Sequence, residues 1–180
     1  MCYSPEVSFG VWIAGIIASI YLYQKGKPFL FPLIVSQMQL VEGLRWINAF
    51  NEQHLAILGK IVLYAQPIAA LYEAKQYSFL LPYLITLLLV ECLFGSHDLR
   101  FVVAEDGHFS WKWIKGPFSI ETVPYWIGLV VGASYLLPPE MSLLMFGLLG
   151  YFYVHHNKYN TYGSLWCVWV NILWIYYLLR

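Results

Sequence analysis

Long apolar stretches separated by short polar turns run through this chain from Ser8 to Leu179. A helix needs about 20 largely apolar residues to cross a bilayer, and only helices and closed barrels satisfy their backbone groups there. Such stretches cover about residues 8–23, 29–49, 55–72, 78–94, 122–137, 141–154 and 162–179. They predict an all-α integral membrane protein, a bundle of seven transmembrane helices. The fifth stretch is short, so six is the alternative. Composition agrees. The 180 residues are 60% hydrophobic and 11% charged, against about 25% charged in a soluble domain. No stretch is left for a separate soluble domain, so residues 1–180 are expected to form one membrane domain. The net charge of zero suggests no basic surface for nucleic acid. The expected partner is the lipid bilayer, and no oligomeric state is implied. Met1-Cys2-Tyr3-Ser4-Pro5-Glu6 lacks the positive segment of a cleavable signal, so the first helix is expected to direct its own insertion.

The second stretch is broken by polar groups. Ser36-Gln37-Met38-Gln39-Leu40-Val41-Glu42-Gly43-Leu44-Arg45-Trp46 places two glutamines, a glutamate and an arginine in apolar surroundings. An ionisable group there costs several kcal/mol on insertion scales and normally faces a protein interior. At helical spacing Gln39, Glu42 and Trp46 share a face, and Arg45 is three residues from Glu42, close enough to pair with it. Gln66 precedes Pro67 in the third stretch, where proline frees a backbone carbonyl. Gln66 either satisfies the freed backbone or lines a cavity. Glu91 lies near the end of the fourth stretch, and Glu91, Gly95 and Asp98 share a helical face. Ser164, Cys167, Asn171 and Trp174 form one stripe in the last. Ser4, Ser8, Gly15 and Ser19 form a small-residue stripe in the first, and Gly128 and Gly132 form a GxxxG pair in the fifth; both are packing signals.

Residues 99–114 read as strand. Leu99, Phe101 and Val103 alternate, then Phe109, Trp111 and Trp113, around Glu105-Asp106-Gly107-His108. Asp-Gly between alternating runs is a strong hairpin signal. A β-hairpin is therefore expected between helices four and five, over about residues 98–116. An exposed Trp-rich face would suit the headgroup layer of an aromatic belt, and the hairpin could cap the bundle mouth.

Alternating the helices sets the sides. Lys25, Lys27, Lys75 and Arg180 outnumber the acids opposite the N-terminus, so that side is expected to be cytoplasmic, with the N-terminus outside. All five histidines and all three cysteines fall on the N-terminal side. Chemistry or ligand binding is expected there. One reading is a metal site for zinc or another transition metal, drawing on His97, His108 and His155, with Asp98 and Glu91 as carboxylates. The spacing has no HExxH or paired CxxC, and adjacent His155-His156 point to different faces, so solvated interfacial histidines are the alternative. If the first and last helices are neighbours, Cys2 could meet Cys167 in a disulfide, given an oxidising compartment. Otherwise Cys167 is a small core residue. The broadest reading is a polar pocket of Gln39, Glu42, Arg45, Gln66, Glu91, Ser164, Cys167 and Asn171. It would take a small or lipidic ligand in a receptor-, carrier- or sensor-like role. A metal-assisted lipid hydrolase using Glu42 or Glu91 as base, with His108 and His155 as ligands, is the enzymatic alternative. A proton or ion pathway through Glu42, Gln66 and Asn171 is the third.

The opening Met1-Cys2-Tyr3-Ser4, the segment Gln39-Leu40-Val41-Glu42-Gly43 and the closing Gly163-Ser164-Leu165-Trp166-Cys167 resemble a family of small multi-pass membrane proteins. Its members begin Met-Cys-Phe-Ser and end with a Ser-Leu/Ile-Trp-Cys helix. Gly107-His108-Phe109-Ser110-Trp111 resembles a Gly-x-His-Leu-x-Trp segment of related members. The family is uncharacterised, so the resemblance implies a fold and no activity. It also points to Cys2, Ser4, Gln39, Glu42, His108, Trp111, Ser164, Trp166 and Cys167. Two other seven-helix chemistries are not supported. The last helix has no lysine for a retinal Schiff base. It has Asn171 and Trp174 where ceramidase-type hydrolases carry a His-x-x-x-His.

Overall fold

The structure is a computed structural model that describes residues 4–95, 98–105, 107–113, 120, 122–156, 161 and 171–179. Seven helices lie among these residues: α1 (Pro5–Gln24), α2 (Leu30–Trp46), α3 (Glu52–Glu73), α4 (Tyr77–Phe94), α5 (Val123–Leu136), α6 (Pro139–His156) and α7 (Ile172–Leu179). Strands β1 (Phe101–Val103) and β2 (Phe109–Trp111) form an antiparallel hairpin between α4 and α5. Three helices, α1, α3 and α4, are long and apolar enough to cross a membrane. Among the described residues three of the seven expected spans meet both criteria. The α2 helix has 17 residues, and α5 is an apolar helix of 14.

Small residues bring the first helices together. A Cβ added at Gly15 of α1 would lie 2.5 Å from the Ser36 Cβ of α2. Near the other end of this antiparallel pair, Gly43 faces the Phe9 ring. Ser8, Gly15 and Ser19 are buried, as their stripe predicts, and Ser4 caps α1 by accepting from Val7 N. Gly59 of α3 takes Met38 and Val41 of α2 against its bare backbone. The GxxxG pair sets α5 beside α3: a Cβ at Gly132 would lie 2.5 Å from the Ala70 Cβ, and one at Gly128 would lie 2.9 Å from Pro67. The two contacts descend both chains in the same order, so α5 runs parallel to α3. Its first residue, Val123, five positions before Gly128, therefore falls level with about Val62 of α3.

The end opposite the N-terminus is fastened by polar contacts. Phe29, the residue before α2, has no side chain able to cap, and the first amides of a helix need an acceptor. Glu73, closing α3, supplies it: its carboxylate accepts from Phe29 N (2.5 Å), Leu30 N (2.6 Å) and Phe31 N (3.0 Å). Lys27 donates to the Tyr177 carbonyl, and the Tyr177 hydroxyl to that of Leu136, which holds α7 to α1 and α5. Leu22, Phe31, Val35, Ala69, Ala70, Leu129 and Ala133 form the apolar core of this half.

The hairpin pairs Phe101 with Trp111, Val102 with Ser110 and Val103 with Phe109. Gly107 takes φ +79 in the turn, a conformation open to glycine; Asp106 lies outside the described residues. The aromatic face is not exposed. Phe101, Phe109, Trp111 and Trp113 are all at most 2% accessible. Phe101 reaches the bare backbone of Gly59, and the Phe109 ring lies 4.7 Å from that of Trp46. The physical reason is area: each large ring gains about 1.5–3 kcal/mol by full burial, and the α2–α3 pair leaves a notch at Gly59. The hairpin is a wedge set into the helices rather than a headgroup-facing sheet.

Candidate functional site

Packing on its two flanks fixes where the polar face of α2 points. Ser36 and Gly43 meet α1, while Met38 and Val41 meet α3. Gln39 and Glu42 fall angularly between these contacts, at 100° per residue, and so point into the bundle. Both are 0% accessible. Gln39 Nε2 donates to Glu42 Oε2 at 3.3 Å, which leaves Gln39 Oε1 as the outward acceptor of the pair. That oxygen is buried and has no hydrogen-bond partner among the described residues. Trp46, one turn beyond Glu42, carries the Phe109 ring of the hairpin, so the wedge sits over the hairpin-side end of this face.

Arg45 does not join the pair. It bonds to Asn48 Oδ1 (2.6 Å) and forms its ion pair with Glu52 of α3 (3.5 Å). Near the end of α2 the side chain reaches the turn and the next helix more readily than it folds inward. Glu52 Oε1 also accepts from Phe101 N at 3.1 Å, so one carboxylate ties α2, α3 and β1 together.

The other expected site residues occupy different places. Gln66 is buried in α3 and accepts from the Tyr125 hydroxyl of α5 at 2.9 Å; its Nε2 has no partner among the described residues. Asn171 is buried beside Gly15 and Ser36, at the junction of α1, α2 and α7. Glu91 lies on the α3–α4 seam, where it accepts from Lys60 and from the Tyr64 hydroxyl (3.4 Å). The α4 helix ends at Phe94, so Asp98 does not continue its face; it pairs with Arg100 at 2.5 Å. That hydrogen bond holds the Asp98 carboxyl below its ordinary range and the Arg100 guanidinium above its own.

His108 is buried in the hairpin, whereas His155 is exposed near the end of α6 with its ring 4.4 Å from that of Tyr151. No group of three or more His, Cys, Asp or Glu that could hold a metal ion occurs among the described residues. His97, Ser164 and both cysteines of the expected disulfide, Cys2 and Cys167, lie outside the described residues. Cys92 is free and exposed.

Sequence spacing does not reach Lys60, Glu52, Glu73 or Tyr125. Lys60 does carry a signal, being the charged residue inside the apolar stretch 55–72. The Glu73 cap is foreshadowed by the absence of a capping side chain before α2. Comparison of the chain with family models, curated proteins and solved structures finds no match.

Proposed function

We propose that this chain is a multi-pass membrane protein whose buried polar centre binds a small or lipidic ligand reaching it from the hairpin end, in a receptor-, carrier- or sensor-like role. The observation that carries the reading is Gln39 Oε1: a fully buried carbonyl, beside a buried carboxylate, without a partner among the described residues. Leaving such a group unsatisfied costs about 1–3 kcal/mol, and buried polar groups are rarely left so. A carbonyl next to a carboxylate selects a ligand whose polar end presents N–H or O–H donors. The wedge above the site is aromatic, which suits an apolar remainder of the ligand.

The far half of the bundle favours a closed pocket over a pathway. Below Gln39 the buried residues of α2 include Phe31 and Val35, and Leu22, Ala69 and Ala70 join them. A proton or ion would have to cross that apolar layer. In this reading the N-terminus and hairpin face outward.

Native mass spectrometry of protein released from mild detergent tests the proposal. Wild type is expected to retain a small molecule that Glu42→Gln and Gln39→Leu both lose while keeping their helical circular dichroism. Equal retention by all three, or no retained species in any, would sink it. Conversion of the retained molecule by wild type but not by Glu42→Gln would make the site catalytic, with Glu42 as base.

A further inference from the structure

We propose that the seam of α3, α4 and α5 binds a zwitterionic phospholipid, with one acyl chain in an apolar groove and its headgroup on the Lys60–Glu91 pair. The proposal rests on the bilayer placement of the bundle and not on any ligand at Gln39. The two sites lie on different faces of α3: Gly59 is turned to α2, and Lys60 is 100° further round.

The groove measures about 170 Å³ and is walled by Leu71, Tyr83, Thr86, Pro124, Ile127 and Val131. It opens laterally, since Ile127 on its rim is 59% accessible. Its outer wall, α4, has only 11% of its apolar window buried, so hydrocarbon is what meets the opening in a bilayer. The groove is apolar apart from Thr86 and the Tyr83 hydroxyl, which is turned onto the Tyr64 carbonyl at 3.4 Å.

Following the seam toward the hairpin end leads from this apolar trough to paired charges. Tyr64 of α3 links the two: its carbonyl accepts from the Tyr83 hydroxyl on the groove wall, and its own hydroxyl donates to Glu91, two turns beyond Tyr83 on α4. On α3, Lys60, Tyr64 and Leu71 form one stripe at spacings of four and seven. The Lys60 ammonium donates to Glu91, and the side chains are 12% and 36% accessible. The carboxylate is therefore reachable from outside while the ammonium is held just behind it.

A pair of opposite charges at the mouth of an apolar groove complements a headgroup that carries both signs. A phosphate would accept from Lys60 and the Tyr64 hydroxyl, and an ammonium would donate to Glu91. An anionic headgroup would satisfy Lys60 but meet Glu91 with like charge. A diacylglycerol would offer neither ion.

The test is native mass spectrometry of the full-length protein in mild detergent. It is titrated with phosphatidylethanolamine, phosphatidylglycerol and diacylglycerol of identical chains. Phosphatidylethanolamine is expected to occupy the protein at least five-fold more than either other lipid. The volume-preserving double variant Lys60→Met/Glu91→Gln is expected to lower it to the diacylglycerol level. Ile127→Trp, projecting over the groove from its exposed rim, is expected to lower all three. Leu89→Trp, exposed elsewhere on α4, is expected to change none. Equal occupancy of the three lipids in wild type, which requires no variant, would overturn the proposal. A phosphatidylethanolamine preference that survives the double variant would do the same. Either result leaves the Gln39–Glu42 reading untouched, because that ligand is read as a separate mass lost in Glu42→Gln.

Discussion

Gln39 separates a structural role from a binding role more cleanly than any other residue in this chain. Gln39→Leu gives up one hydrogen bond to the Glu42 carboxylate, worth about 1.5–3 kcal/mol, and removes a buried carbonyl whose isolation costs about 1–3 kcal/mol. The two nearly cancel. The ligand-free variant should therefore unfold within about 1 kcal/mol of wild type while losing any ligand-induced rise in Tm; a collapse of the fold would mark Gln39 as structural. Glu73→Ala should behave oppositely, removing the acceptor for three amides and costing about 1–3 kcal/mol in thermal unfolding without altering ligand retention. Asp98 supplies a pH signature. Its folded pKa is depressed by Arg100, so its contribution is present above the unfolded carboxylate range and is lost as pH falls through the lowered folded value. Unfolding of Asp98→Asn should show less acid sensitivity than wild type, by a small margin because the pair is exposed. Gln39 and Glu42 were legible in the sequence because polar groups in an apolar stretch demand an interior. Lys60 obeyed the same rule, but its partner Glu91 is 31 residues away, and pairing across helices leaves no local spacing. Arg45 shows the converse: its spacing to Glu42 was right for a pair, yet Glu52 on the next helix took it.

Among the elements, the hairpin is where sequence and structure part most clearly. Alternation and the Asp-Gly turn announced two strands and an aromatic face. They did not announce the direction of that face, because alternation shows that a strand has an apolar side and not what that side packs against. The deciding feature is the notch at Gly59, which exists only once α2 and α3 have packed. Phe101→Ala should cost about 3–5 kcal/mol by emptying that notch. The same change should speed amide exchange in the hairpin more than in α1, since α1 does not depend on the wedge. Uniform exchange across both would mean that the hairpin does not open separately from the helices. GxxxG marked Gly128 and Gly132 as a packing face without naming α3 as its partner. Gly132→Leu should separate the two helices and lower Tm, because its side chain would meet Ala70 at a distance no relaxed packing allows.

For the whole molecule, composition and apolar stretch length indicated a helical bundle. The number of spans did not follow from them. Among the described residues three helices are long and apolar enough to cross a bilayer, while α2 has 17 residues and α5 has 14. An outward-facing N-terminus, as proposed, and the expected cytoplasmic C-terminus predict opposite locations for the two ends. A tag at the N-terminus should be labelled on intact cells, and a fluorescent protein at the C-terminus should be shielded from external protease; both ends on one side would refute an odd number of spans. The central claim is that the interior face of α2 is a ligand site beneath the hairpin. An experimental density map of the wild-type protein in lipid nanodiscs tests it most directly. Non-protein density within hydrogen-bonding distance of Gln39 Oε1, bounded by α2, α3 and the hairpin, is the expected result. A side chain of the protein itself bonded to that oxygen, with no further density in the bundle interior, would contradict it.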